Sequence, residues 1–235
     1  IITRHKSVVP CVAWTESGDK LLAVSRKGML DVYDVKNKAL SSAWMHRKLS
    51  CVAPVGLTTI VGSDNSLMLW KTNNNLELQY VLDGHKDEMI AVTTTLTNTG
   101  QYIASISKEK LLIHKMYDDG APELVTTAPS LKGDKFTALD WYKGHLLVVS
   151  SRGLIFSYQV KSNTFVNVGD LLSLYCIRWD PSGQRYATGG GKDIYILDHI
   201  SRDSKTLKGH EMAVYSVSWD PNGSRIVSGS ADKSI

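Results

Sequence analysis

The chain has 235 residues, a formal net charge of +4, and 43% hydrophobic against 21% charged residues, an ordinary globular composition long enough to bury a large core. No run of about 18 or more apolar residues occurs, so no helical membrane span is supported, and the mild charge lacks the basic excess of a dedicated nucleic-acid binder. The chain opens Ile1-Ile2-Thr3-Arg4-His5 with no basic-then-apolar leader, and since residue 1 is not Met the true start is expected upstream.

The predicted elements are short strands punctuated by turns, and no stretch holds a helical period. Leu21-Leu22-Ala23-Val24-Ser25 reads as a strand, Arg26-Lys27-Gly28 as a short turn, and Met29-Leu30-Asp31-Val32-Tyr33 as the next strand. Leu76–Leu82 is the clearest example of a further, polar-faced strand. Asp118-Asp119-Gly120-Ala121-Pro122 reads as a surface loop. Leu146-Leu147-Val148-Val149-Ser150, Arg152-Gly153 and Leu154-Ile155-Phe156-Ser157-Tyr158 repeat the first pattern. The last copy is the cleanest: Gly209-His210, the strand Val214–Trp219, the turn Asp220-Pro221-Asn222-Gly223, and Arg225–Asp232. Pro presets φ and Asn-Gly accepts positive φ, so that turn has a mechanism. Asp180-Pro181-Ser182-Gly183 repeats it, with looser versions at 16–19 and 98–101.

Gly-His-like positions fall at His5, His46, Gly84-His85, Gly133-Asp134, Gly169-Asp170 and Gly209-His210. Trp-Asp-like positions follow at Tyr33-Asp34, Trp70-Lys71, His114-Lys115, Tyr158-Gln159 and Leu197-Asp198, with steps of roughly 36 to 49 residues between repeats. In these features the chain resembles the WD-repeat β-propeller family over essentially its whole length. The resemblance implies an all-β fold of four-stranded antiparallel blades. Repeats are expected at about 1–40, 41–80, 81–128, 129–165, 166–204 and 205–235. Together they form one partial propeller of about five and a half blades, from a seven-blade ring or a double propeller.

The family's blades can carry a buried network of the Gly-His histidine, a strand Ser or Thr, the Trp and a tight-turn Asp. Here the turn Asp stands only at Asp64 and Asp232. The resemblance therefore implies a structural network of His46, Asp64 and Trp70 in the second blade and of His210 and Asp232 in the sixth. The other four blades are expected to rely on apolar packing.

Chemistry is sparse. Cys11, Cys51 and Cys176 occupy matched first-strand positions in separate repeats. They read as core thiols rather than disulfide partners, which favours a reducing, intracellular setting. No Cys/His spacing suggests a metal and no cofactor is expected. Gly189-Gly190-Gly191-Lys192-Asp193 lacks the Ser or Thr and the helix that a phosphate loop needs. No Gly-x-Ser-x-Gly elbow occurs, and Asp87-Glu88 reads as solvated loop charge, so no enzyme is expected.

The turns of one propeller face carry an excess of cations, densest at Arg26, Lys27, Arg47 and Lys48 with Arg4 and Lys6 nearby, and Lys132 further along. Arg26, Lys27, Arg47, Lys48, Lys108 and Arg152 are the expected partner contacts. The resemblance implies a non-catalytic protein–protein interaction scaffold in a multi-subunit intracellular complex, and the basic face suits partners with acidic or phosphorylated segments. The alternative is an RNA- or DNA-associated propeller subunit using the same basic face.

Overall fold

In the computed structural model, residues 5–72, 75–117, 120–128, 131 and 133–235 are described. Arg4, Lys132 and the Asp118-Asp119 pair lie outside them. The described residues form 22 strands and no helix, so none is long and apolar enough to cross a membrane. The strands group into five four-stranded sheets and one two-stranded sheet, every neighbouring pair antiparallel and sequential.

Two compact units divide the chain, Ile1–Ala128 and Pro129–Ile235. The first unit holds three sheets. The first is β1 (Cys11–Trp14), β2 (Lys20–Val24), β3 (Met29–Asp34) and β4 (Ala39–Trp44). The second is β5 (Leu49–Val55), β6 (Thr58–Ser63), β7 (Ser66–Thr72) and β8 (Leu76–Asp83). The third is β9 (Met89–Thr97), β10 (Gly100–Ser107), β11 (Leu111–Tyr117) and β12 (Gly120–Thr127).

In the second unit, β13 (Phe136–Tyr142), β14 (His145–Ser150), β15 (Leu154–Gln159) and β16 (Thr164–Asp170) make one sheet. The next comprises β17 (Leu174–Trp179), β18 (Arg185–Gly190), β19 (Asp193–Asp198) and β20 (Ser204–Leu207). The pair β21 (Val214–Trp219) and β22 (Ile226–Ser230) follows.

Period-two geometry explains the core. Successive side chains of a strand point to opposite faces, so β5 sends Cys51 and Ala53 toward the third sheet and Val52 toward the first. Leu22, Val24, Leu30 and Val32 close the first interface, and Met89, Val92 and Ile103 the second. In the second unit Leu147, Val149 and Ile155 meet Leu174, Ile177 and Trp179, while Cys176 and Ala187 meet Val214 and Val217. Strands covered on both faces should read as continuous apolar runs, and Leu146-Leu147-Val148-Val149 on β14 is fully buried throughout.

The turns are closed by their own acids. Gly183 N–H donates to Asp180 O at 3.0 Å, and Asp180 Oδ1 accepts from the N–H groups of Gln184 and Arg185 at 3.1 and 3.2 Å. Asp220 does the same for Ser224 and Arg225 at 2.7 and 2.9 Å. Gly183 and Gly223 hold φ of +72° and +66°, which the Gly of each motif permits at little cost.

Candidate functional site

The cationic residues sit on turns at one end of the strands, where β2 hands to β3, β4 to β5, β8 to β9 and β10 to β11. The Arg26-Lys27-Gly28 turn is fastened at both ends. Gly28 N–H donates to Ser25 O at 2.9 Å, and Met45 N–H donates to Gly28 O at 2.8 Å. Gly28 has φ +94°, and a Cβ there would meet Arg47 O, so the β2–β3 turn lies directly against the segment carrying Arg47 and Lys48. A glycine at the turn thus sets the spacing between two cationic loops.

Two of the six expected contacts, Arg26 and Lys48, meet at one acid, and the charge of a third, Lys108, acts on it. Lys48 Nζ donates to Glu88 Oε2 at 2.7 Å, and Arg26 Nη2 stands 3.9 Å from Glu88 Oε1. The Lys48 hydrogen bond holds the Glu88 carboxyl below the usual carboxylate range, and the charges of Lys48, Arg26 and Lys108 add to it. Glu88 is therefore not a merely solvated charge of the Asp87-Glu88 pair: it is the counter-ion of a cationic cluster. The cluster remains accessible, with the Arg26, Glu88 and Lys48 side chains 49%, 37% and 35% exposed.

The remaining expected contacts are placed differently. Arg47 Nη1 donates to the buried Ser66 Oγ at 3.3 Å. Lys27 lines a cavity of about 390 Å³ that also holds His5, Asp31, Ser42 and Trp44. Arg152 is exposed in the second unit, where its N–H and Ser151 Oγ both donate to Asp134 Oδ1, at 3.0 and 2.7 Å.

The polar networks also differ from expectation. The structure does not bring His46, Asp64 and Trp70 together. His46 is exposed with φ +50° and accepts the Trp44 indole N–H at 2.8 Å, while Trp70 Nε1 is buried without a partner. A left-handed backbone at His46 turns its ring toward the edge strand β4 instead of into the blade. In the sixth sheet His210 Nδ1 lies 2.9 Å from Asp232 Oδ2 and its Nε2 is 2.8 Å from Ser228 Oγ. Asp232 also accepts from Ser234 Oγ and the Glu211 N–H, and these hydrogen bonds, Ser234's first, hold its carboxyl far below the usual range.

Blades expected to rely on apolar packing carry polar networks of their own. His85 is buried with its ring nitrogens 3.0 Å from Ser107 Oγ and 2.9 Å from Ser105 Oγ, and burial pushes its pKa down to about 4. Asp31, 4% exposed, accepts from Ser42 Oγ at 2.6 Å and lies 3.2 Å from His5 Nε2, without hydrogen-bond geometry in the latter pair. The sequence signal for Asp31 is an acid where the equivalent register position of the second sheet, opposite Val61, is Met68.

Burial raises the Cys51 thiol to about 12 and the Cys176 thiol to about 11, which makes both inert core groups; Cys11 is half-buried with Sγ 3.7 Å from Val52 O. The Gly189-Gly190 pair is explained by close approach, since a Cβ would strike Val214 and Cys176 at the first and the Ser173 backbone at the second. Among the described residues no group of three or more His, Cys, Asp or Glu could hold a metal ion.

Successive four-stranded antiparallel sheets, each strand paired with its neighbours in sequence, are the blades of a β-propeller. Residues 201–235 match the family model described as WD domain, G-beta repeat. The fold matches a chain in a solved structure described as "Crystal Structure of Mitotic Checkpoint Complex", at a TM-score of 0.80 and 16% identity, covering 98% of this chain and 74% of that one. No curated protein matches the sequence.

Proposed function

We propose that this chain is a non-catalytic scaffold that docks other proteins within a multi-subunit intracellular complex. In this reading the 235 residues are one partial propeller, and contacts run through Arg26, Lys27, Arg47, Lys48, Lys108 and Arg152. The observation that carries it is the meeting of Arg26 and Lys48, from two separate turns, on the single carboxylate of Glu88, with the charge of Lys108 on another turn acting on the same group. Accessible cations in excess of their local counter-charge attract acidic surfaces and speed encounter with them. Turns on a rigid strand scaffold are where binding residues concentrate. The likeness to a chain within a structure described as a complex is in keeping with this role.

The test is capture of partners from lysate by the full-length protein beside a variant with Arg26, Lys27, Arg47 and Lys48 changed to Glu, each with and without nuclease. Loss of partners on charge reversal alone is the expected result. Loss on nuclease treatment as well would move the reading to a nucleic-acid-associated subunit, and unchanged partners would overturn it.

A further inference from the structure

We propose that the Arg26–Lys48–Lys108 cluster receives a phosphate monoester on a partner protein, a phosphorylated serine or threonine, and that Glu88 is its built-in competitor. The inference rests on the docking reading above and goes beyond it by naming the ligand's charge and the residue that must yield to it.

Arg26 and Lys48, on two turns, stand 3.9 and 2.7 Å from the Glu88 carboxylate on a third, and the charge of Lys108 on a fourth acts on it, so these four side chains sum to two positive charges. Lys48 is satisfied by Glu88 at 2.7 Å, but Arg26 at 3.9 Å is beyond hydrogen-bond range and keeps its donor fork unspent on this acid. A carboxylate side chain of a partner brings the same charge and the same two oxygens as Glu88. It must displace a tethered group that is always at high local concentration, and it gains little by doing so.

A phosphate monoester brings about −1.5 to −2 charge and three acceptor oxygens, so it can meet the guanidinium and both ammonium groups together. Ion pairs between half-exposed side chains are weak, so Glu88 can leave without disturbing the fold. Nothing of the core holds it: it lies on the turn between β8 and β9, and Met89, the next residue, supplies the buried anchor. Glu88 thus sets a threshold that a single carboxylate does not pass and a phosphate does.

The probe is a short fluorescein-labelled glycine–alanine peptide with one phosphoserine, read by anisotropy on the full-length protein. The same peptide with serine or glutamate serves as control, and oligouridylate as competitor. The phosphopeptide is expected to bind in clear preference to the glutamate peptide. Glu88→Gln should tighten it about fivefold, the scale of a surface ion pair. Lys48→Ala and Lys108→Ala should each weaken it about tenfold, as expected for a charge-assisted phosphate contact. Equal binding of the glutamate peptide, or unchanged or weaker binding in Glu88→Gln, would overturn the proposal. Displacement by oligouridylate more readily than by unlabelled phosphopeptide would also overturn it, assigning the cluster to nucleic acid. If charge reversal abolishes partner capture while the phosphopeptide does not bind, this inference fails and the docking reading stands. If partner capture is indifferent to charge reversal, the docking reading fails, and the peptide titration alone decides the cluster.

Discussion

His85 shows how one buried residue ties local structure to solution behaviour. Its ring is wedged between Ser105 and Ser107, with Lys110, His114 and Asp87 the charged or titratable groups acting on it. A protonated ring would be a buried charge faced only by two neutral hydroxyls. Burial therefore depresses its folded pKa to about 4, below the ordinary 6.5. The unfolded chain takes up the proton first, so stability from this residue is complete above pH 6.5 and is lost as pH falls toward about 4.

The loss attributable to His85 is on the order of 3 kcal/mol. Urea unfolding between pH 7.5 and pH 4.5 should show a steep decline in the wild type and a shallower one in His85→Asn; parallel curves would refute the assignment. Asp232 contributes in a separate, lower window, since its depressed carboxyl loses its stabilising partners only below the ordinary carboxylate range. The Gly-His pair at 84–85 was legible in the sequence as a repeat mark. Its partners were not, because the two hydroxyls lie 20 and 22 residues away on β10, across a fold the local pattern does not describe.

At the scale of strands and turns, spacing between sheets rather than motif identity decides which positions are critical. Cys51 lies opposite Gly62, and Cys176 opposite Gly189, in equivalent registers of β5–β6 and β17–β18. A Cβ at Gly62 would strike Cys51 Sγ and crowd Met89; one at Gly189 would come within 2.8 Å of Cys176 Sγ and 2.7 Å of Val214. Gly209, the glycine that most clearly marks the repeat, has nothing within 4 Å of an added Cβ and no positive φ. Gly62→Ala and Gly189→Ala should each cost about 1–3 kcal/mol as overpacked core positions, and Gly209→Ala about 0.5 kcal/mol or less. Denaturant midpoints of the three variants check this ranking. The Asp-Pro-x-Gly turns were legible because their chemistry is local: the acid, the ring and the glycine close the turn within six residues, 180–185 and 220–225. The Cys–Gly pairing was not, because it is a contact across strands and against the next sheet.

For the molecule as a whole, apolar packing between sheets supports the fold, while charge on the turns is free to serve recognition. Raising salt from about 0.1 M to about 1 M shortens the screening length from roughly 10 to 3 Å and should strip charge-dependent partners. The thermal unfolding midpoint should change little over the same range, since the interfaces are built from Val, Leu, Ile and Met. Retained partners at high salt would place docking on the apolar outer strands instead, where Leu78, Tyr80 and Val81 of β8 are exposed.

Strands, turns and their sixfold recurrence were determined by the sequence alone, because each depends on alternation and turn chemistry spanning a few residues. Basic turns could be counted there too, and Arg26, Lys27, Arg47, Lys48, Lys108 and Arg152 singled out. What only the tertiary structure decided is who neutralises whom: Glu88, one ordinary acid in a solvated pair, reaches Lys48 from 40 residues away and becomes the centre of the cluster. It also decided that His46 turns away from Trp70 while His85 finds two serines. Coulomb attraction and hydrogen bonding act through space, and separation in space is set by how the sheets pack, not by position along the chain.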